Sequence, residues 1–283
     1  MISKTGKQNN QNILVQFQIL ALLSFLKNCN PFCEKKCKAN RYWLRQSLPE
    51  VIEDADELFS NEKYMEVYEL LNRLKFREDA EVHWRLCRAL FKMSSNNSLS
   101  KVVRNEMISE GYELIRRALE LCPNNANIHK WAAIIIDAKS GAEGTVSRIH
   151  SYGMVKIHLL KAAELNPNDV TVYYMLGHWC FALSNMTWFQ RKICSLLFAA
   201  CPTSTYDEAH AYFVKAETTK PRFYIPNLYL LGCTSFYLND FCRARYYLSV
   251  ASNCTPRTRF ETECVVAARR LNKPLLEQNS PSD

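Results

Sequence analysis

Apolar residues recur every three to four positions from about residue 50 to residue 271. This spacing places them on one face of successive helices, whereas the strict alternation of a strand is hard to find. Seven glycines and ten prolines in 283 residues are too few for an all-β fold rich in tight turns. The pattern therefore predicts an all-α chain of amphipathic helices, each with one buried face.

Two stretches near the carboxyl end repeat a spacing of small, large, small and proline residues. The matching positions are Ala209, Phe213, Ala216 and Pro221 in the first stretch, and Ala244, Leu248, Ala251 and Pro256 in the second. The stretches "YYMLGHWC" and "LYLLGCTS" precede them and place Gly177 and Gly232 at one register. Because glycine inside a helix costs about 1 kcal/mol relative to alanine, we expect another helix to approach closely at both glycines.

These paired halves resemble the tetratricopeptide repeat, a helix–turn–helix unit of about 34 residues. Weaker units lie upstream, and prolines at 123, 167, 221 and 256 close the second helix of each unit. The closing prolines are 44, 54 and 35 residues apart, so most units are longer than the standard repeat. We predict an irregular tetratricopeptide-like solenoid of helical hairpins, with long inserts between helices and a final capping helix after Pro256.

The charge is concentrated at the amino end. Residues 1–45 contain eight Lys or Arg and one acid, a net +7 of the +8 carried by the whole chain. We expect a basic arm over 1–45, a helical repeat domain over 46–271 and a disordered tail over 272–283. The arm residues expected to contact an acidic partner are Lys27, Lys35, Lys36, Lys38, Arg41 and Arg45.

The arm contains an apolar run, "ILVQFQILALLSFL" at 13–26. Its 14 residues are interrupted by Gln16 and Gln18, and a bilayer span needs about 20 apolar residues. A buried or interfacial helix is favoured, while a cleaved signal and membrane association through residues 13–38 stay open. The following Cys29, Cys33 and Cys37 lack a fourth ligand for zinc and are expected to be unmodified, with palmitoylation as the alternative.

The chain has twelve cysteines, most of them single residues within helical apolar patterns. Cys87, Cys180, Cys194, Cys233 and Cys264 are of this kind. A disulfide framework is typical of short, loop-rich secreted domains. We therefore expect reduced, buried thiols in a reducing compartment.

Several stretches resemble the regulator of microtubule dynamics family over roughly residues 50–271. They are "NEKYMEVYELLNRL", "DAEVHWRLCRALFKM", "HKWAAIIID", "MTWFQRKICSLLFAACPTSTYDEAHAYFVKAE" and "YIPNLYLLGCTSFYLNDFCRARYYLSVA". The motifs "WFQRKI" and "CPTSTY" fall in an insert where the repeat itself dictates nothing. The resemblance is therefore specific to the family rather than to helical repeats in general.

The resemblance implies a non-catalytic helical protein that binds microtubules and affects their dynamics, chromosome segregation and the spindle. Its localisation would be cytoplasmic, on the microtubule cytoskeleton. Some members are instead anchored in the outer mitochondrial membrane, where they tether the endoplasmic reticulum and bind lipids. Those members have longer amino-terminal regions with a clear spanning segment. The short, Gln-containing run at 13–26 favours the microtubule role and keeps the lipid-binding tether as the alternative.

Motifs for catalysis are not found. The sequence has no glycine-rich phosphate loop, no His-Glu-x2-His and no Gly-x-Ser-x-Gly. His178 and Cys180 lie two positions apart, which places them on different helix faces. We expect no enzyme activity, no cofactor and no metal site.

The concave face of such a repeat array is lined by the first helix of each unit. The residues predicted to face it are Arg85, Arg88, Lys92, His129, Tyr174, His178, Tyr229 and Tyr237. This groove would be basic at its amino end and aromatic at its carboxyl end, which suits an extended acidic peptide or a phospholipid. Alternatively, the aromatics pack against the insert or the last helix. Nucleic acid is not an expected partner.

The insert motif "WFQRKI" has two interpretations. Arg191 and Lys192 beside Trp188 and Phe189 could touch an anionic surface. Alternatively, the aromatics dock the insert onto the solenoid and the charges face water. A peptide-binding co-chaperone is disfavoured, because its basic clamp would be spread over several repeats, whereas the predicted groove cations crowd into one helix.

Overall fold

The computed structural model describes residues 47–198 and 201–277. Twelve α-helices and the turns between them make up this part of the chain, and it contains no strand. The helices are α1 (Leu48–Ser60), α2 (Tyr64–Asn72), α3 (Ala80–Ser94), α4 (Lys101–Leu121), α5 (Ala126–Glu143), α6 (Thr145–Leu165), α7 (Val170–Ser184), α8 (Trp188–Leu197), α9 (Tyr206–Thr219), α10 (Ile225–Tyr237), α11 (Phe241–Asn253) and α12 (Arg259–Glu277). The all-α prediction is confirmed.

Contacts between Cα atoms divide the chain into a unit of residues 1–54 and a unit of residues 55–283. The larger unit contains a series of helix pairs: α3 packs on α4, α5 on α6, α7 on α9 and α10 on α11. Each pair contacts the next, through α4 and α5, α6 and α7, and α9 and α10. This is the predicted tetratricopeptide-like hairpin array. Helix α8 is the predicted insert, lying between the two members of a pair in sequence and contacting α6.

Helix boundaries follow from side-chain caps and prolines. Side-chain oxygens of Asp79, Ser100, Asn125, Asp169 and Asp240 each accept a hydrogen bond from a backbone N–H in the first turn of the following helix. The four closing prolines follow α4, α6, α9 and α11 by two or three residues, where a helix can no longer continue. The predicted unit ends are confirmed.

The two register-matched glycines lie at close helix contacts. A Cβ on Gly177 of α7 would lie 2.6 Å from the Phe213 ring on α9. A Cβ on Gly232 of α10 would lie 2.5 Å from Leu248 Cγ on α11. Phe213 is fully buried. The small residue thus receives the large side chain of the partner helix, as the spacing predicts.

The final helix, α12, packs on both α10 and α11 and so covers the last pair, as predicted. Leu275 and Ala268 join the buried cluster around Leu248. The Arg269 guanidinium donates hydrogen bonds of 3.1 and 3.0 Å to the Ser252 carbonyl. The helix runs to Glu277, past the predicted domain end at 271. The predicted arm at 1–45, with its apolar run and three cysteines, lies outside the described residues.

One cysteine prediction is wrong. Cys194 forms a disulfide with Cys201, which lies in the connection between α8 and α9. The two Cα atoms lie 5.4 Å apart, and the helical pattern around Cys194 gives no reason to expect this pairing. The other helical cysteines named above are free and buried, as expected.

Candidate functional site

Residues of the predicted groove meet in a cavity of about 490 Å³ between α5, α6 and α7. Tyr174 and His178 of α7 line it, one helical turn apart. Its wall also includes Phe91, Asp137, Arg148, Tyr152, Trp179 and Gln190. Sequence reasoning missed Arg148 and Tyr152, because they lie on α6, the second helix of its pair, which the repeat pattern does not assign to the groove.

The polar side of this cavity is an ion pair between α5 and α6. The Arg148 guanidinium donates to both carboxylate oxygens of Asp137, from Nε at 2.9 Å and from Nη2 at 2.8 Å. This two-point geometry fixes the orientation of both groups. The His178 ring reaches solvent through the cavity, yet desolvation by the surrounding protein lowers its pKa more than the Asp137 charge raises it. The imidazole is therefore neutral at pH 7.

The aromatic side of the cavity is a packed wall. Tyr174 meets Tyr224 edge to face at 4.9 Å and Phe213 at 6.1 Å between ring centroids. Burial raises the pKa of the Tyr174 phenol, so it stays protonated and available as a hydrogen-bond donor. The cavity thus offers an apolar and aromatic lining with one charge pair at its edge. Such a surface is suited to a mainly apolar guest with one polar end.

The structure places Tyr229 and Tyr237 in a different cavity, of about 650 Å³, between α7, α10 and α12. Phe181, Phe236 and Arg270 also line it. Tyr237 is 49% exposed and stacks on Tyr206 at 4.6 Å between centroids. Burial raises the pKa of Tyr229, and burial raises the pKa of Cys233 beside it to about 11. The predicted aromatic end of the groove is therefore two cavities, one with the Arg148–Asp137 pair in its wall and the other with the Arg270 cation.

The predicted basic end is held in internal ion pairs. Arg85 is 8% exposed and donates to Asp56 from Nε at 2.9 Å and from Nη2 at 2.7 Å. It also pairs with Glu81, and Arg88 donates to the same Asp56 carboxylate. Burial raises the pKa of Asp56, but the bonds and charges of the two arginines outweigh it and lower the pKa overall. Lys92 is the exposed cation among the three on α3.

His129, the remaining predicted groove residue, is buried between α5 and α6. Its Nδ1 lies 2.9 Å from Nδ1 of His158, and its Nε2 lies 2.8 Å from the Pro123 carbonyl oxygen. The ring therefore joins three elements of the helical array. It is not brought together with Tyr174 and His178.

The Asp56 carboxylate is expected to be important for stability. Replacing it with alanine leaves Arg85 and Arg88, both largely buried, without their shared partner. Because Asp56 itself is partly exposed, we expect a loss of about 2 kcal/mol in unfolding free energy, below the usual value for a fully buried pair. Urea denaturation measures it. Glu113→Ala, which removes the partner of an exposed ion pair with Arg116, is the control and should change stability by less than about 0.5 kcal/mol. Equal effects of the two variants would contradict the prediction.

The insert helix α8 packs on the rest of the array through residues other than Trp188 and Phe189. Trp188 and Phe189 are 72% and 64% exposed, so the interpretation in which they dock the insert onto the solenoid is wrong. The contacts come from the opposite face, where Cys194 is buried and Ile193 packs on the main core. The sequence motif shows a helix but not which of its two apolar sides faces inward.

Among the described helices, none combines the length and apolarity that a bilayer crossing requires. A family model described as "Regulator of microtubule dynamics protein 1-3" matches residues 51–275 of this chain. Regulator of microtubule dynamics protein 1 of Bos taurus is 36% identical over 232 residues, covering 82% of this chain and 73% of that protein. Regulator of microtubule dynamics protein 3 of Xenopus laevis is 33% identical over 230 residues, covering 80% of this chain and 50% of that protein.

A solved structure shares the fold. It is that of a thermophilic TPR protein of Thermus thermophilus, with a TM-score of 0.53 at 13% identity, and the match covers 79% of this chain and 100% of that chain. Identity this low supports the helical repeat architecture alone. The family relation rests on the sequence matches.

Proposed function

This chain belongs to the regulator of microtubule dynamics family, and from that premise we propose that it is a non-catalytic helical repeat protein that binds microtubules and modulates their dynamics. Its proposed setting is the cytoplasmic microtubule cytoskeleton and the spindle, with a role in chromosome segregation. The observation that carries the proposal is the family match over 51–275, which spans nearly the whole described helical array.

We assign the microtubule contact to the basic arm. The surface of tubulin is strongly acidic, and residues 1–45 hold a net +7. In the helical array, Arg85 and Arg88 are engaged with Asp56, and Arg148 is engaged with Asp137. These three arginines are thus already neutralised within the protein. The contact is expected to be electrostatic and to weaken with salt.

The non-catalytic part of the proposal is supported by the cavity walls. Thiols are the strongest nucleophiles among the groups near the second cavity. Burial raises the pKa of Cys233 to about 11 and that of Cys264 to about 11, so both are protonated at pH 7. A protonated thiol is a poor nucleophile. Binding, rather than bond making, is the chemistry that the cavities favour.

A second candidate is a lipid-binding module at contacts between the outer mitochondrial membrane and the endoplasmic reticulum. It is favoured by the 490 Å³ cavity, whose lining is mainly apolar and aromatic. The Arg148–Asp137 pair gives that cavity one polar side.

Co-sedimentation with microtubules over a salt series tests the first function. We expect the full chain to pellet at low salt and progressively less as salt rises. A variant with glutamine at the six arm positions named above should bind at least about tenfold more weakly. The matched control, Lys92→Gln with Lys220→Gln, removes exposed cations of the array and should stay within about twofold.

The other outcomes are also decisive. Equal, salt-insensitive pelleting of the full chain and the six-glutamine variant would place the contact on the helical array instead of the arm. Failure of the full chain to pellet at any salt concentration would reject direct microtubule binding. Lipid extraction from the purified chain would then test the second function.

A further inference from the structure

Helix α8 presents an outward face of large apolar side chains. Trp188 and Phe189 stand at its start and Leu196 near its end, and Leu196 is 86% exposed. Trp188, Lys192 and Leu196 are spaced by four residues, so they lie on one side of the helix. Leu196 also follows Phe189 by seven residues, two helical turns. Exposed apolar side chains clustered in this way mark interaction surfaces.

The opposite face of α8 fixes the helix in place. The Thr187 side chain accepts a hydrogen bond from the Gln190 backbone N–H, while the Gln190 side chain accepts from the Thr187 backbone N–H. The Arg191 guanidinium donates to the carbonyls of Ser184 and Met186 at the end of α7. Cys194 is buried and bonded to Cys201. The outward side chains are therefore held away from the core by a secured helix.

The sequence segment that contains α8 has no acidic residue. No Asp or Glu occurs between Asp169 and Asp207, and the charges in that interval are Arg191 and Lys192. The Lys192 Nζ lies 5.7 Å from the centroid of the Trp188 ring, so the cation sits beside the aromatic. The face thus carries one cation, Lys192, between the apolar side chains of Trp188 and Leu196.

We propose that the outward face of α8 docks onto an anionic membrane surface. Trp188, Phe189 and Leu196 would enter the boundary between headgroups and acyl chains. Lys192 would extend its charge to the lipid phosphates, with its methylenes beside Trp188. Tryptophan favours this boundary, because its ring is apolar while its N–H can still find a partner.

A membrane fits this face better than a folded protein partner. The exposed side chains project from a single helix and form a ridge. The cavity near α8 is lined by Gln190, which does not belong to this ridge. A protein partner needs a complementary groove, whereas a bilayer adapts to a protruding ridge. The charged residues of α8 are Arg191 and Lys192, both cations, and this charge complements an anionic surface. This docking is separate from the microtubule contact, which is assigned to the arm.

Vesicle flotation tests the proposal with the full chain. Vesicles of phosphatidylcholine containing phosphatidylserine are compared with vesicles of phosphatidylcholine alone. We expect the double variant W188S/F189S to bind the anionic vesicles at least about tenfold more weakly. The matched control is Phe76→Ser, which removes a side chain 90% exposed in the turn after α2 and should bind as the parent does. All variants are measured in the six-glutamine background, so that the arm charges do not mask the difference.

Depth-dependent fluorescence quenching adds a local measurement. The chain has five tryptophans, and Trp84, Trp131 and Trp179 are buried. Brominated phosphatidylcholine should quench the Trp188 emission, obtained as the difference between the parent and Trp188→Phe. Flotation of W188S/F189S equal to that of F76S, or an unquenched Trp188, would overturn the proposal. So would failure of the six-glutamine chain to float. The proposal would also be overturned if W188S/F189S, placed in the chain with its native arm, abolished pelleting with microtubules while flotation stayed normal, because the face would then serve a protein.

Discussion

Phe213→Ala is expected to lower the unfolding free energy by about 3–5 kcal/mol. Phe213 is fully buried between α7 and α9, and its ring lies directly over Gly177. Removing the ring leaves a cavity at the centre of the contact between these two helices. Urea denaturation at constant pH measures the loss. A change below about 1 kcal/mol would contradict the packing described above.

The effect of Gly177→Ala on the unfolding free energy should change sign when Phe213 is replaced by alanine. In the parent, the new Cβ would lie 2.6 Å from two atoms of the Phe213 ring, and overpacking of this kind costs about 1–3 kcal/mol. In the Phe213→Ala background that obstacle is gone. The alanine then fills part of the cavity and gains about 1 kcal/mol of helix propensity. We therefore expect it to destabilise the parent and stabilise the variant.

Gly153→Ala is the matched control for this cycle. Gly153 lies inside α6, and a Cβ built there meets no atom within 4 Å. The substitution should stabilise the protein by up to about 1 kcal/mol, because the propensity gain has no steric cost against it. If Gly177→Ala behaved as Gly153→Ala does in the parent, the two helices would not be in the close contact that the repeat requires.

The contact between Gly177 and Phe213 was predictable because each residue lies in a local sequence pattern typical of the repeat. A helical glycine in one stretch and an Ala–Phe–Ala spacing in the next belong to a single repeat, so their pairing follows from the period. The ion pair of Arg85 with Asp56 could not be found in this way. The two residues are 29 positions apart, and the repeat pattern assigns no partner to an arginine at a position predicted to face the groove.

The same limit explains the insert and the cavities. The motif around Trp188 predicts an amphipathic helix, but α8 has apolar residues on both sides, and only its contact with α6 decides which side is buried. Arg148 enters the candidate site from the second helix of its pair. The position of a residue within a repeat predicts the helix pairs and the apolar contacts between them. The partners of individual polar side chains depend on the irregular spacing of the units.

The ion pairs of Arg85 and Arg88 neutralise most of the predicted basic end of the groove. A basic groove would have bound acidic partners along the array, but the arginines at its amino end neutralise acids of the protein itself. Under the two proposals above, cationic contacts fall to the arm and to Lys192 of α8, and the 490 Å³ cavity, where Arg148 is paired with Asp137, is left for a mainly apolar guest. The arm, the α8 face and the cavity are formed by different residues, which makes each proposed contact testable by its own set of substitutions.

The buried pair of His129 and His158 should make stability depend on pH. The Pro123 carbonyl accepts a hydrogen bond from His129 Nε2, so that nitrogen carries the proton in neutral His129. His129 Nδ1 is then the acceptor, and His158 Nδ1 donates to it at 2.9 Å. Protonation of His158 would put a second hydrogen on a ring that is 8% exposed. Burial, together with the electrostatic interaction with His129, lowers the pKa of His158 to about 4.

The direction of the pH effect follows from this lowered pKa. An unfolded histidine titrates near its usual pKa of about 6.5, so the unfolded chain takes up this proton before the folded protein does. Stability is therefore full above pH 6.5, falls as the pH drops, and levels off below about 4. Between pH 7.5 and pH 5 the loss from this group is about 2 kcal/mol. His158→Gln keeps an N–H donor for His129 but cannot titrate, so it should lose this part of the pH dependence. The measurement is urea denaturation of the parent and the variant at both pH values, and identical losses in the two proteins would show that His158 already binds its proton in the folded state.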